Sequence, residues 1–286
     1  MLRFIILGLM IFCMGTHAYS MDQIRLVPEF SANNYRYSYE YALLKKAFDV
    51  TADTDGPYII SHVDTKMSRN RVLYEFAETD SVNVHAAATR QEWEFRAIPI
   101  RIPIFRGLLG YRLFLINKDD EPMFTQVQKV EDLKQLKAGL VEQWTTTSVL
   151  KRAHFKVVTA MEYDSLFKML EIKRFDYFPR GVPEIFGELK NMRIAFPGLS
   201  VEPTLALYFP TPCYFFVSPK HPKLADRLKR GMEKLVQTGV LESMFLEEYG
   251  EHIDRANLKG RKLLKIENPL LSNKTPFNRL ELWFTP

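Results

Sequence analysis

The chain has 286 residues, of which 47% are hydrophobic and 26% are charged, and its formal net charge is +5. This length suffices for one large domain or for two lobes with separate hydrophobic cores. Basic and acidic residues are interspersed and no basic tract or nucleic-acid-binding motif is present, so the composition argues against nucleic acid as a partner.

Residues 1–20 have the pattern of a secretory signal peptide. Arg3 gives a positive start, and residues 4–14 form an apolar run that is too short to span a membrane as a helix. Small residues follow, and we expect cleavage after Ala18 or after Ser20. The mature chain would then lie in the periplasm.

The cysteines argue against a disulfide-stapled secreted domain. The chain has two cysteines, Cys13 and Cys213, and only Cys213 remains after removal of the predicted signal peptide. A disulfide within the mature chain is therefore excluded, whereas a bacterial periplasmic protein with ordinary hydrophobic cores is not. We expect this protein to be a monomer.

The first part of the mature chain alternates strand-length apolar runs with helix-length amphipathic segments, which is the pattern of an α/β fold. Tyr41, Leu44 and Phe48 recur at helical spacing and predict the first helix. The remaining expected elements of this part are strands at 24–27, 57–63, 82–88 and the end of 98–117, and a helix at 68–78.

A second α/β block begins near Pro122. Its predicted elements are helices at 130–136, at 145–153 and from 163, strands at 137–143 and 156–160, and a later long helix at 224–238. In that long helix Leu224, Leu228 and Met232 share one face. The tail from about Asp254 is rich in Pro, Asn and Lys, and it predicts packed irregular structure.

The order of these parts resembles the second lobe of the type II periplasmic solute-binding proteins, in the family 3 group that includes many polar amino-acid receptors. The resemblance is carried by Asp132 and Leu133, the threonine turn at 145–147, and the stretch LEIKRFDYF with Arg174 and Asp176. The segment GVLESMFLEEYG is similar to the closing helix of that family. The likeness covers roughly residues 22 to 250.

This resemblance implies two α/β lobes joined by two crossing strands, with a ligand bound in the cleft and closure of the lobes on binding. We accordingly divide the chain into a signal peptide (1–20), the first part of lobe one (21–118), lobe two (119–204), and a return to lobe one with a C-terminal extension (205–286).

Thr145, Thr146 and Thr147 stand at the start of a predicted helix. The first amides of a helix have no internal partner and lie at the positive end of its dipole, so anions bind there readily. The threonines are therefore candidate ligand contacts. The alternative is that one threonine caps the helix and the others are surface residues.

The resemblance also implies an arginine in lobe one that pairs with the ligand carboxylate, a geometry that lysine cannot supply. The family motif places this arginine after a T-x-x-E turn, but Trp93 stands there, following Thr89 and Glu92. Arg90, Arg101 and Arg106 are possible replacements. Trp93 is either a ligand-covering aromatic or a core aromatic.

The family places an aspartate for the ligand ammonium in lobe two, and Arg180 or Gly181 stands near that position here. Arg180 would attract a carboxylate or phosphate, and Glu184 could accept the ammonium. Pro183 and Glu184 are equally consistent with an ordinary helix start. The tyrosines of the first strand-to-helix loop, Tyr35, Tyr37 and Tyr39, are candidates for covering the ligand or for an edge segment.

The sequence contains none of the common hydrolase, metalloprotease or phosphate-loop motifs, and its histidines lack metal-ligand spacing. We therefore expect a non-enzymatic solute-binding protein without cofactor or metal, which closes on a small polar, anionic or amino-acid-like ligand. A membrane permease of an ABC transporter or a sensor protein is the expected partner. The alternatives are a sensory module on the same scaffold and, less favoured, a periplasmic lyase.

Overall fold

The computed structural model describes residues 21–29 and 38–286, so the predicted signal peptide, Tyr35 and Tyr37 lie outside the described residues. Within this part of the chain, no helix is long and apolar enough to cross a membrane. The strands are β1 (Asp22–Leu26), β2 (Tyr58–His62), β3 (Val84–Ala88), β4 (Ile98–Ile100), β5 (Tyr111–Asn117), β6 (Lys137–Val141), β7 (Lys156–Ala160), β8 (Phe178–Gly181), β9 (Leu199–Val201), β10 (Leu205–Tyr208), β11 (Cys213–Val217) and β12 (Lys262–Lys265).

The helices separate most of these strands, as the alternating pattern of the sequence predicts. They are α1 (Ser38–Asp49), α2 (Ala52–Asp55), α3 (Arg69–Ala77), α4 (Gln91–Arg96), α5 (Glu121–Phe124), α6 (Val130–Leu133), α7 (Thr145–Arg152), α8 (Tyr163–Glu171), α9 (Val182–Met192), α10 (Pro222–Gln237) and α11 (Val240–Ala256). Short 3-10 turns lie at Leu108–Gly110, Lys118–Asp120, Leu258–Gly260 and Leu280–Leu282.

The first lobe is built on β1, β2, β3, β4 and β11. Strands β1 and β2 are parallel, and β11 lies between β3 and β4 and is antiparallel to both. Asn83 joins the two sets, because its Oδ1 accepts from the Arg25 amide at 2.8 Å and its own amide donates to the Arg25 carbonyl at 3.0 Å. Helix α10 packs on α1 so closely that a Cβ at Gly231 would collide with the Ala47 carbonyl.

The second lobe is built on β6 and β7, which are parallel, and on β8 and β9, which both pair with β5. The amide of Gly139 in β6 donates to the Tyr177 carbonyl at 2.9 Å, so β6 lies directly beside the chain that leads into β8. Helices α7 and α8 cover this sheet with buried Val149, Leu150 and Leu166.

Two antiparallel strands connect the lobes. The chain leaves the first lobe along β5, all of whose residues are buried, and it returns along β10. Leu207 of β10 lies opposite Arg112 of β5, and Tyr208 lies opposite Tyr111. This arrangement is the pair of crossing strands that the sequence predicts.

The tail differs from the prediction of irregular structure after Asp254. Helix α11 continues to Ala256, and β12 pairs in parallel with β10, on the side of β10 away from β5. The alternation of the segment KLLK is too short to separate a strand from a loop, and the pairing depends on β10, which is distant in sequence. The polar contacts that attach the rest of the tail to the first lobe include those of Ser272 with Glu94, of Arg279 with Glu233, and of the Phe284 amide with the Arg106 carbonyl.

Candidate functional site

A cavity of about 510 Å³ lies between the two lobes and is lined by residues of both. The first lobe supplies α1, α3, β3, β11 and α11, and the second supplies the start of α7, Tyr163, and the region from β8 into α9. Arg112 of the crossing strand β5 also lines it. Ligand pockets of several hundred cubic ångströms between domains are typical of small-molecule sites.

The N-terminus of α7 faces this cavity. Trp144 is the N-cap residue and makes no side-chain cap, so Thr145, Thr146 and Thr147 are the first three helical residues rather than the cap. Thr145 and Thr146 line the cavity. The hydroxyl of Thr147 instead donates to the Val141 carbonyl at 2.6 Å and holds the helix against β6.

Arg180 also lines the cavity, but its charge is already paired. Its Nε donates to Glu188 Oε2 at 2.6 Å and its Nη2 donates to Glu188 Oε1 at 2.5 Å, in a buried bidentate pair. Glu184 Oε1 lies 3.1 Å from Nη2, and the guanidinium stands 4.6 Å from the centre of the Trp144 ring. Burial alone would lower the pKa of Arg180, but Glu184 and Glu188 outweigh it and raise that pKa.

Glu184 lies at the start of α9 and links two arginines. Its Oε2 accepts from the Gly181 amide at 2.9 Å and lies 3.4 Å from Arg112 Nη1. Burial raises the pKa of Glu184, but Arg180 and Arg112 more than offset this and hold it below its usual range. Glu184 therefore lies at the helix start, as one alternative predicts, and it also lines the cavity, where its contact with a ligand stays a prediction.

On the first-lobe side, the charged residues of the cavity lining are Glu40, Arg69 and Glu248. Glu40 is only 5% exposed, and its Oε2 has no hydrogen-bond partner in the described part of the chain. Burial raises the pKa of Glu40 to about 8. Arg69, the first residue of α3, makes no hydrogen bond or ion pair with any residue that the structure describes.

Cys213 of β11 lies in the wall of the same cavity and is 6% exposed. Burial raises the pKa of its thiol, so the thiolate is disfavoured. Among the residues described, no group of three or more His, Cys, Asp or Glu side chains could hold a metal ion. The charged residues of the cavity lining are its arginines and glutamates.

The other predicted ligand contacts lie elsewhere. Trp93 is 1% exposed and packs in the first-lobe core against Phe76, His85 and Phe216, so the core alternative holds and it does not line the cavity. Arg90 pairs with Glu92 at 2.7 Å, outside the cavity lining.

The remaining candidates are likewise engaged away from the cavity. The hydroxyl of Tyr39 donates to the Ile104 carbonyl at 3.0 Å. Arg101 pairs with Glu94 at 2.9 Å, and Arg106 pairs with Glu242. Asp176 accepts from the Lys137 amide at 2.6 Å, which is consistent with a turn residue.

Sequence reasoning missed Glu40, Arg69 and Arg112. Arg112 left a visible signal, because a charged residue stands inside the apolar run YRLFLIN and is 4% exposed in the structure. A fully buried arginine without a functional or structural partner is rare. Glu40 and Arg69 left no such signal, since acids and bases in the first turn of a helix are common on surfaces.

No family model matches the chain, and no curated protein is significantly similar to it in sequence. Solved structures do resemble it. One is an ancestral arginine-binding protein bound to glutamine, with 15% identity, a TM-score of 0.58, and coverage of 81% of this chain and 100% of that one.

A second similar structure comes from a study of glutathione import through GshT and the cystine importer TcyBC of Streptococcus mutans. It has 13% identity and a TM-score of 0.59, and covers 81% of this chain and 96% of that one. A third is the periplasmic VFT2 domain of Bordetella pertussis BvgS, with 15% identity, a TM-score of 0.56, and coverage of 80% and 93%. The chain thus has the two-lobed fold of type II periplasmic binding proteins.

Proposed function

We propose that the protein is a periplasmic solute-binding protein that closes its lobes on a small, polar, carboxylate-bearing solute. The observation that carries this proposal is the N-terminus of α7, whose residues Thr145 and Thr146 line a cavity between the lobes. Amides without internal partners and the positive end of the helix dipole favour an anionic group at this point.

The second-lobe wall supports the proposal because it is already organised before a ligand arrives. The pair of Arg180 with Glu188 fixes the guanidinium over Trp144. A rigid wall of this kind lowers the entropy cost of binding. We expect the wall to orient the solute beside the threonines, and binding without chemical change is the role that we propose.

The proposed use of the solute is transport, with an ABC-type membrane permease as the partner of the closed form. The similar structures include an arginine-binding protein and one from a study of an importer.

One feature favours a sensory module instead. The charge of Arg180 is met by Glu184 and Glu188 within the cavity, so the cavity does not depend on an external anion. The BvgS domain has the same fold.

Native mass spectrometry of the mature protein tests the binding proposal, both as purified and after incubation with amino acids and small organic acids. We expect one retained mass per chain, recovered unchanged, and a raised melting temperature with the matching compound. A protein that retains nothing and whose melting temperature no compound shifts would contradict solute binding. Co-purification with a sensor kinase instead of a permease would then favour the sensory module.

The variant Thr146→Asp sharpens the test. It places a carboxylate where we propose the solute's anion, and we expect at least a tenfold loss of affinity. Ser148→Asp is the matched control, since Ser148 lies on the same helix but does not line the cavity. Equal losses in the two variants would mean that the threonine turn is not the anion site.

A further inference from the structure

Glu40 is the buried polar group in the cavity that most needs an explanation. Buried carboxylates are almost always hydrogen-bonded or paired with a cation, because removing a charge from water is costly. Glu40 is only 5% exposed and it lines the cavity. Its Oε2 has no hydrogen-bond partner among the described residues. Its first-turn position in α1 fixes it at this wall.

The groups that face Glu40 do not compensate it. Two further glutamates, Glu184 of α9 and Glu248 of α11, act on it electrostatically and disfavour its ionised form. Arg69 favours that form but makes no ion pair with it in the described structure. The other titratable side chains of this wall are Tyr249 and His252 of α11 and Cys213 of β11, and Tyr39, which precedes Glu40 on α1, interacts with it from outside the cavity lining.

Glu40 thus forms no ion pair with a cation among the described residues. Arg112 pairs with Glu184 and Arg180 pairs with Glu188, so carboxylates of the second lobe compensate both positive charges. Arg69 is the cavity arginine left over, and it lies on the same lobe as Glu40. Glu40 Oε2 thus has no hydrogen-bond partner, and Arg69 makes no ion pair, among the described residues.

We infer that Glu40 accepts a hydrogen bond from a positively charged nitrogen of the solute, while Arg69 and the α7 amides hold the solute's acid group. This inference rests on the proposed function and adds that the solute is amphoteric. It also departs from what the family resemblance implies, because the acceptor for the cation belongs to the first lobe and not to an aspartate of the second.

Binding should then release a proton. Burial keeps the pKa of Glu40 at about 8, so the carboxyl of the empty protein is mostly protonated at neutral pH. A cationic nitrogen at hydrogen-bond distance favours the ionised carboxylate. The carboxyl O–H bond therefore breaks as the solute enters, its proton passes to solvent, and the affinity rises with pH between about 6 and 8.

The test is calorimetric titration of the mature protein and of Glu40→Gln with L-glutamine, L-glutamate and L-arginine. Two monopolar probes accompany them, glutarate without nitrogen and agmatine without an acid group. We expect at least one amino acid to bind wild type ten times more tightly than either monopolar probe. Glu40→Gln should lose at least tenfold for that amino acid and leave glutarate unchanged. Titrations in two buffers of different ionisation enthalpy should show about one proton released by wild type and none by Glu40→Gln.

Glu247→Gln is the matched control, because Glu247 is exposed on α11 and does not line the cavity. The inference is overturned if Glu40→Gln binds the amino acid within twofold of wild type, or if glutarate binds as tightly as the amino acids. If wild type binds no probe in calorimetry and retains no mass after purification, the proposed function itself fails, and the inference fails with it.

Discussion

The two walls of the cavity contrast in how their charges are met. In the second lobe, Arg180 is held by Glu188 and Glu184 and stacked on Trp144. In the first lobe, Glu40 Oε2 accepts no hydrogen bond and Arg69 makes no ion pair among the described residues. Ion pairs within the second-lobe wall stabilise the folded protein, whereas the unpaired groups of the first-lobe wall are free to bind a ligand. Variants of the two walls should therefore affect different quantities.

The largest difference is expected between the two arginines. Arg180→Met leaves the buried Glu188 without its cation, and removing one partner of a buried pair costs about 3 to 5 kcal/mol of unfolding free energy. Arg69→Met removes no hydrogen bond or ion pair within the described structure and should change that free energy by less than about 0.5 kcal/mol. Urea denaturation of the ligand-free variants measures both. Equal losses would mean that the two walls do not differ in this way.

The pH dependence of stability isolates Glu40. Because burial raises its pKa from 4.5 to about 8, the folded state keeps a proton that the unfolded state releases. Its contribution is therefore most favourable below pH 4.5 and falls as pH rises to about 8, by up to roughly 5 kcal/mol. We expect Glu40→Gln to be the more stable protein above neutral pH, with the difference from wild type vanishing near pH 4. A difference that is constant across this range would contradict the account.

Thr147 and Thr146 differ in the same way, because only the Thr147 hydroxyl is hydrogen-bonded within the described structure. Thr147→Val loses the hydrogen bond to the Val141 carbonyl and should lower the unfolding free energy by about 1 kcal/mol. Thr146 makes no such bond in the described structure, so Thr146→Val should leave stability nearly unchanged. Thermal and urea unfolding of the two variants separate the outcomes, and a larger loss for Thr146→Val would reverse the assignment of their roles.

The fold could be predicted from the sequence because its determinants are local. Helical spacing marks α1 and α10, apolar runs mark β3, β5 and β6, and the order of these elements matches a known architecture. The threonine turn could be predicted for the same reason, since a few consecutive residues determine where a helix starts. Strand β12 could not, because its pairing is set by β10, which is more than fifty residues away.

The first-lobe wall could not be predicted from the sequence for a related reason. Glu40 and Arg69 stand in first helical turns, where charged residues are usually solvated, but in the folded chain Glu40 is buried in a cavity wall that α11 and β11 also line. Trp93 stands at the motif position of the family's arginine, and its packing against Phe76 and Phe216 places it in the core, which is one of the two alternatives that the sequence leaves open. The domain boundaries predicted at 118 and 204 remain predictions.

Amide hydrogen exchange of the mature protein, with and without the solute that raises its melting temperature, tests the central claim most directly. A solute held between the α7 amides and Glu40 should slow exchange in two segments together, residues 144–148 of the second lobe and residues 38–42 of the first. Slowing in neither segment, or in only one of them, would contradict a solute that bridges the two walls.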